Sequence, residues 1–183
     1  MEGADNDPVI TGEGRLPWDN NYFIGSDPSC WRTHVANYSK IRYHDIYPGI
    51  DLVYYGEQCS LKYDFIIQPG IDPGQIVLSY SGASGIRLTN AGDMEITAAN
   101  GSILEKKPVC YQIIKGRKEE LFGAFRILDL ESCCFSFDIS GYNPSYPLVI
   151  DPELAFSTFL GSSLYDECRG LTVDEAGNIY LTG

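Results

Sequence analysis

Apolar and polar side chains alternate through the middle of the chain. In Leu61-Lys-Tyr-Asp-Phe-Ile-Ile67, positions 61, 63, 65 and 67 are apolar or aromatic, with Lys62 and Asp64 between them. A period of two belongs to a half-buried strand. The run before it, Ile50 to Tyr55, is β-branched, aliphatic or aromatic except for Asp51. The two runs predict a β-hairpin across the polar link Gly56–Ser60. Ahead of them stands Tyr47-Pro48-Gly49. Pro48 fixes its own φ and pushes Tyr47 towards an extended conformation, and Gly49 can take φ > 0, so a type II turn is expected there.

The same pattern continues in both directions. Val35 to Tyr43 reads as a strand that Ile46 extends to the Pro-Gly turn. Ser26 or Asp27 is placed to cap a short helical turn with Pro28 at its first position. Downstream, strands are predicted over 75–80 and 102–105, and over 109–114 with a charged hairpin tip at 115–120. Ile86–Thr89 and Met94–Thr97 form a hairpin around Gly92. Phe122–Leu128 and Cys133–Ile139 read as a closing pair, and Leu148–Ile150 as a short apolar run ended by Asp151-Pro152. Gly170-Leu-Thr-Val and Asn178-Ile-Tyr-Leu-Thr flank another turn, so the tail carries one hairpin. Residues 1–14 read as a flexible lead, 15–152 as an all-β domain, and 153–183 as a separate unit. Two packed antiparallel sheets, a β-sandwich-like arrangement, are expected for the domain.

Composition supports this reading. Hydrophobic residues make up 44% and aromatics 13%, enough for a core, and Tyr, Gly and Pro are plentiful. The 13 basic and 25 acidic residues give a net charge of −12, which repels phosphate backbones and anionic membrane surfaces. Nucleic acid is therefore not expected as a partner. Membrane insertion is not expected either, because no run approaches the ~18 apolar residues that span a bilayer. The polar, acidic start Met1–Pro8 lacks the features of a signal peptide. Either a cytosolic protein or an internal piece of a longer one fits.

Candidate chemistry is sparse. His34 and His44 lie in neighbouring segments from which a Cys30 pair is conceivable, but no third orienting group is indicated. Ser84 has Gly82 before it and Ile86 after it, so it lacks the nucleophile elbow. Asp166, Glu167, Asp174 and Glu175 lack the spacing of a calcium loop. Cys30, Cys59, Cys110, Cys133, Cys134 and Cys168 contain no Cys-x-x-Cys; free thiols are expected, with one or two disulfides as the alternative. Asn37-Tyr-Ser and Asn100-Gly-Ser are glycosylation sequons. Trp18, Tyr22, Phe23, Trp31, Tyr38, Tyr43, Tyr47, Tyr54 and Tyr55 divide between core and a candidate binding face, with Tyr54 and Tyr55 on opposite faces of one strand. No catalytic, cofactor-binding or metal-binding residue is assigned, and no cofactor is expected.

Several motifs in order carry a resemblance: Asn21-Tyr-Phe-Ile-Gly-Ser-Asp-Pro-Ser, Trp31-Arg-Thr, Tyr47-Pro-Gly-Ile-Asp-Leu-Val-Tyr-Tyr-Gly, Tyr63-Asp-Phe, Lys107-Pro and Tyr146-Pro-Leu-Val-Ile-Asp-Pro. They resemble the N-terminal domain that precedes SBBP repeats, the repeats of seven-bladed β-propellers in large surface or secreted proteins. Phe156-Ser-Thr-Phe-Leu-Gly and Gly170-Leu-Thr-Val-Asp-Glu-Ala-Gly-Asn-Ile-Tyr-Leu-Thr-Gly look like the opening of the first repeat. The tail is shorter than the ~40–45 residues of a blade, and a blade needs neighbours to bury its faces. The resemblance therefore implies a partial blade, further repeats downstream as partners, and a domain that has lost sequence at its front. It also implies an extracellular or cell-surface setting. The expected role is a non-catalytic structural or adhesive module, with a carbohydrate- or protein-binding module attached to a secreted enzyme as the alternative.

Overall fold

A computed structural model describes residues 1–57, 60–99, 101–152, 154–155, 170–173 and 179–182. They are built from antiparallel strands and two 3-10 turns. The largest sheet has nine strands. Its first four are β1 (Ile10–Tyr22), β2 (Arg32–Tyr47), β3 (Ile50–Glu57) and β4 (Ser60–Ile67). Three later hairpin strands belong to it: β9 (Val109–Ile114), β10 (Arg117–Asp129) and β11 (Cys134–Ser140). It also takes β5 (Leu78–Ser79) and β12 (Leu148–Asp151), in the order β1-β2-β3-β4-β12-β9-β10-β11-β5. A second sheet holds β6 (Ala83–Leu88), β7 (Met94–Ala98), β8 (Gly101–Glu105) and β13 (Leu154–Ala155), in the order β13-β8-β7-β6. Between them lies one core, to which the large sheet gives Ile50, Phe65, Phe135 and Ile150 and the small sheet Ile86, Met94 and Ile96. The two-sheet, all-β architecture matches the expectation.

The central hairpin forms as its pattern requires. Tyr47 pairs with Ile50 around Pro48-Gly49, and Gly49 has φ +75°, the glycine geometry of a type II turn. A bulge before the turn puts Asp45 at φ +49°, and its carboxylate accepts the Gly49 N–H at 3.0 Å. β3 and β4 pair from Ile50↔Ile67 to Glu57↔Ser60. Tyr63, Phe65 and Ile67 are buried, whereas Leu61 reaches the rim. Asp27 accepts from the Ser29 N–H and caps the 3-10 turn Pro28–Cys30. In the tail, β14 (Gly170–Val173) and β15 (Ile179–Thr182) pair as the expected hairpin.

Some elements differ from the sequence reading. β1 begins inside the segment read as a flexible lead and pairs along most of β2. Its Gly, Asn and Asp content hid it, because both its faces are wet and no apolar alternation marks it. The lead itself closes the large sheet. Glu2 donates its N–H to the Val77 carbonyl at 2.9 Å, beside β5, and Asp5 donates to Ile46 at the end of β2 at 2.8 Å. The predicted strand at 75–80 shrinks to β5, because its start belongs to the 3-10 turn Pro73–Gln75. The predicted hairpin tip at 115–120 is only Lys115-Gly116, both at positive φ, and β10 resumes at Arg117.

The end of the domain is bonded into it. β12 lies inside the large sheet, between β4 and β9. Pro152 is fully buried. Two residues later Leu154 pairs with Glu105 and Ala155 with Leu104, in the other sheet. The chain passes from the large sheet to the small one between Asp151 and Leu154.

Candidate functional site

Glu105 is the least expected residue in the core. It ends β8 on the inward parity set by Ile103 and is 0% exposed. Tyr63 of β4 donates its hydroxyl to one carboxylate oxygen at 2.5 Å, and Tyr80, just after β5, donates to the other at 2.8 Å. One carboxylate therefore ties the small sheet to two parts of the large one. Burial pushes the Glu105 carboxyl above its usual range, and the two phenol hydrogen bonds pull it back. Burial, with the neighbouring carboxylate, pushes both phenols well up, so they remain donors. Glu105 stands at the end of the strand predicted over 102–105, and nothing in that reading marked it as buried.

Above the triad is an apolar pocket of about 290 Å³. Four rings form its walls: Tyr54, Tyr63, Tyr80 and Phe135. Tyr80 stacks on Phe135 with centroids 5.7 Å apart, and Tyr54 packs against Tyr63 at 6.0 Å. Leu61, Leu78 and Met1 complete the wall and rim. Ser79, also lining it, donates its hydroxyl to the Glu2 carboxylate at 2.9 Å. No lysine, arginine or histidine side chain lines this pocket. Such a pocket can hold a compact apolar or cationic group.

Other charged groups serve local structure. Arg42 donates to Glu13 at 2.5 Å and to Asp51 at 3.0 Å, and Asp51 accepts the Asp45 N–H, which fixes the bulge before the turn. Hydrogen bonding to Arg42 lowers the Glu13 carboxyl. On the outer face Asp64 accepts from Tyr55 at 3.0 Å, and burial, helped by the charge of Asp151, raises Asp64 to about 6.

The residues singled out in the sequence disperse. His44 shares a 2.8 Å hydrogen bond with Thr11, His34 faces Asp19 at 4.0 Å, and Cys30 is exposed in the 3-10 turn. Ser84 donates to the Thr97 carbonyl. Cys30, Cys110, Cys133 and Cys134 are free thiols, and burial pushes Cys110 up to about 12. Cys59, Cys168, Asn100 and the acids 166, 167, 174 and 175 lie outside the described residues. Asn37 spends its amide on the Trp18 and Val35 carbonyls. Among the described residues no three His, Cys, Asp or Glu side chains are grouped to hold a metal. No helix among the described residues is long and apolar enough to cross a membrane. Tyr54 lines the pocket, while Tyr55 on the opposite face lies under the Lys40 ammonium, 4.6 Å from the ring centre.

One segment stands apart from the core. The β1–β2 hairpin beyond Lys40 pairs with β3 nowhere, since the β2–β3 ladder begins at Lys40↔Tyr55. It presents Trp18, Tyr22, Phe23 and Ile24, each about half exposed or more. Its tip is held by Phe23 set edge-on to Trp31 and by the Trp31 indole donating to the Gly25 carbonyl.

Comparison with known proteins agrees with the order of the motifs. Residues 1–153 match the model of a domain of unknown function, DUF7948, and residues 155–183 match a beta-propeller repeat, SBBP. Neither the curated proteins nor the solved structures contain a match to the chain. The β13 pairing thus joins the first residue of the propeller match to the sheet of the preceding domain, and the chain belongs to the DUF7948 family, followed here by the start of an SBBP propeller repeat.

Proposed function

We propose that this domain is a non-catalytic structural and adhesive head module of an extracellular or cell-surface β-propeller repeat protein. The observation that carries the reading is the junction. A flexible linker would leave the repeat to swing, whereas β13 leads into the repeat from a strand bonded to β8. The module therefore holds the two residues that lead towards the downstream repeats, its partners in the same polypeptide, on its own sheet. The adhesive part of the role rests on the β1–β2 arm, whose Trp18, Phe23 and Ile24 are each more than half exposed. Isolated two-stranded ribbons are marginal in water, and a clustered apolar tip is the usual mark of a contact surface.

Adhesion of the purified chain to intact cells and to their extracted envelope polymers tests this. Replacing Trp18, Phe23 and Ile24 together by Ser is expected to abolish retention while leaving the melting temperature within about 2–4 °C, as exposed substitutions do. Undiminished retention would contradict an adhesive arm. The second reading, a module that binds a glycan or protein ligand for a neighbouring enzyme, is favoured by the aromatic pocket.

A further inference from the structure

We infer that the Tyr54–Tyr63–Tyr80–Phe135 pocket binds the alkylammonium group of a small soluble molecule, with Glu105 as the buried counter-charge. This goes beyond the scaffold role and does not depend on it. Four aromatic rings meet around one space of about 290 Å³, the low end of ligand-pocket sizes and suited to a compact head group. Ring faces carry the negative part of the aromatic quadrupole, which attracts a cation placed over them.

Two of the four rings are tuned in the same direction. Tyr63 and Tyr80 each donate a hydroxyl to Glu105, at 2.5 and 2.8 Å. Donating to a carboxylate moves electron density onto the phenol ring and strengthens its attraction for a cation. Glu105 is fully buried behind these rings, so water screens its charge little on the pocket side. A second carboxylate, Glu2, holds Ser79 at the wall. No lysine, arginine or histidine side chain stands in the lining to oppose a bound cation.

Competing occupants fit less well. A sugar needs several hydrogen-bonding groups, but the Tyr63 and Tyr80 hydroxyls are committed to Glu105 and that of Ser79 to Glu2. An anion would meet the Glu105 and Glu2 carboxylates with no lysine, arginine or histidine side chain to receive it. An uncharged hydrocarbon would gain burial but nothing from the ring polarisation or from Glu105. Charge complementarity therefore selects the cation.

The test uses two probes of one shape: choline, and its uncharged analogue in which a tert-butyl group replaces the trimethylammonium. Titration of the full chain by NMR is expected to shift the ring protons of Tyr54, Tyr63, Tyr80 and Phe135, with choline binding about tenfold or more tighter than the analogue. Glu105→Gln is expected to remove most of that preference. Because a core substitution can also perturb folding, Tyr54→Leu at the rim serves as the second variant. It keeps apolar volume, so it is expected to weaken choline several-fold and leave the analogue unchanged. Equal affinity for the two probes, no binding of either, or shifts confined to other residues would overturn the proposal.

Discussion

Asp64 shows how one side chain records its surroundings. It lies on the outer face of β4, opposite in parity to Tyr63 and Phe65, and accepts from Tyr55. Burial and the charge of Asp151 hold its proton to about 6, against 3.8 for an ordinary aspartate. Between those two values the folded state binds the proton and the unfolded chain has lost it. The contribution to stability is therefore full below pH 3.8 and is lost as pH rises through about 6. Asp64→Asn removes this titration. The stability of the wild type relative to that variant is expected to fall across the same window in denaturant melts, and a pH-independent difference would contradict the account. Glu105 carries the complementary lesson. It ended the strand predicted over 102–105, but its partners Tyr63 and Tyr80 are 42 and 25 residues away. A strand pattern gives parity and not neighbours, so the triad and the pocket were illegible until the sheets were stacked.

At the scale of elements, the legible parts were those with one dry face. The β3–β4 hairpin, the hairpin around Gly92 and the closing β10–β11 pair each turn apolar side chains into the core, among them Phe65, Ile96 and Phe135. β1 escaped because it is solvated on both faces, and β5 because an adjoining 3-10 turn took its first residues. The path of β10 shows a constraint that turn signals do not reveal. It leaves β9 after Leu121↔Cys110 and continues along β11. Gly123 sits at the changeover, where an added Cβ would collide with the Cys110 sulfur and lie 3.1 Å from the Pro108 carbonyl. Gly123→Ala is expected to destabilise by about 1–3 kcal/mol, the cost of overpacking. Adding Cys110→Ala removes the sulfur contact and leaves the carbonyl, so it is expected to return part of the loss. Chemical denaturation of the single and double variants checks this, and an unchanged midpoint for Gly123→Ala would refute the close approach.

Across the whole molecule, the motifs pointed to a domain followed by a propeller repeat, and the family matches agree with both parts and their order. What the sequence could not supply was the nature of the seam. Asp151-Pro152 read as a stop between units, because Pro ends a strand and no pattern says where the next residues pair. In the fold, Pro152 is packed inside the domain and β13 extends the second sheet beyond it. β8 bears both the Glu105 triad and the β13 pairing, so the interior of the domain and the exit of its chain share one strand. Hydrogen exchange on the full chain tests this seam most directly. The bonded amides of β8 and β13 are expected to open only with those of β7, at the free energy of the whole domain. Fast exchange at residues 154–155 while β7 stays protected would contradict the account, because the repeat would then hang from a loose tether.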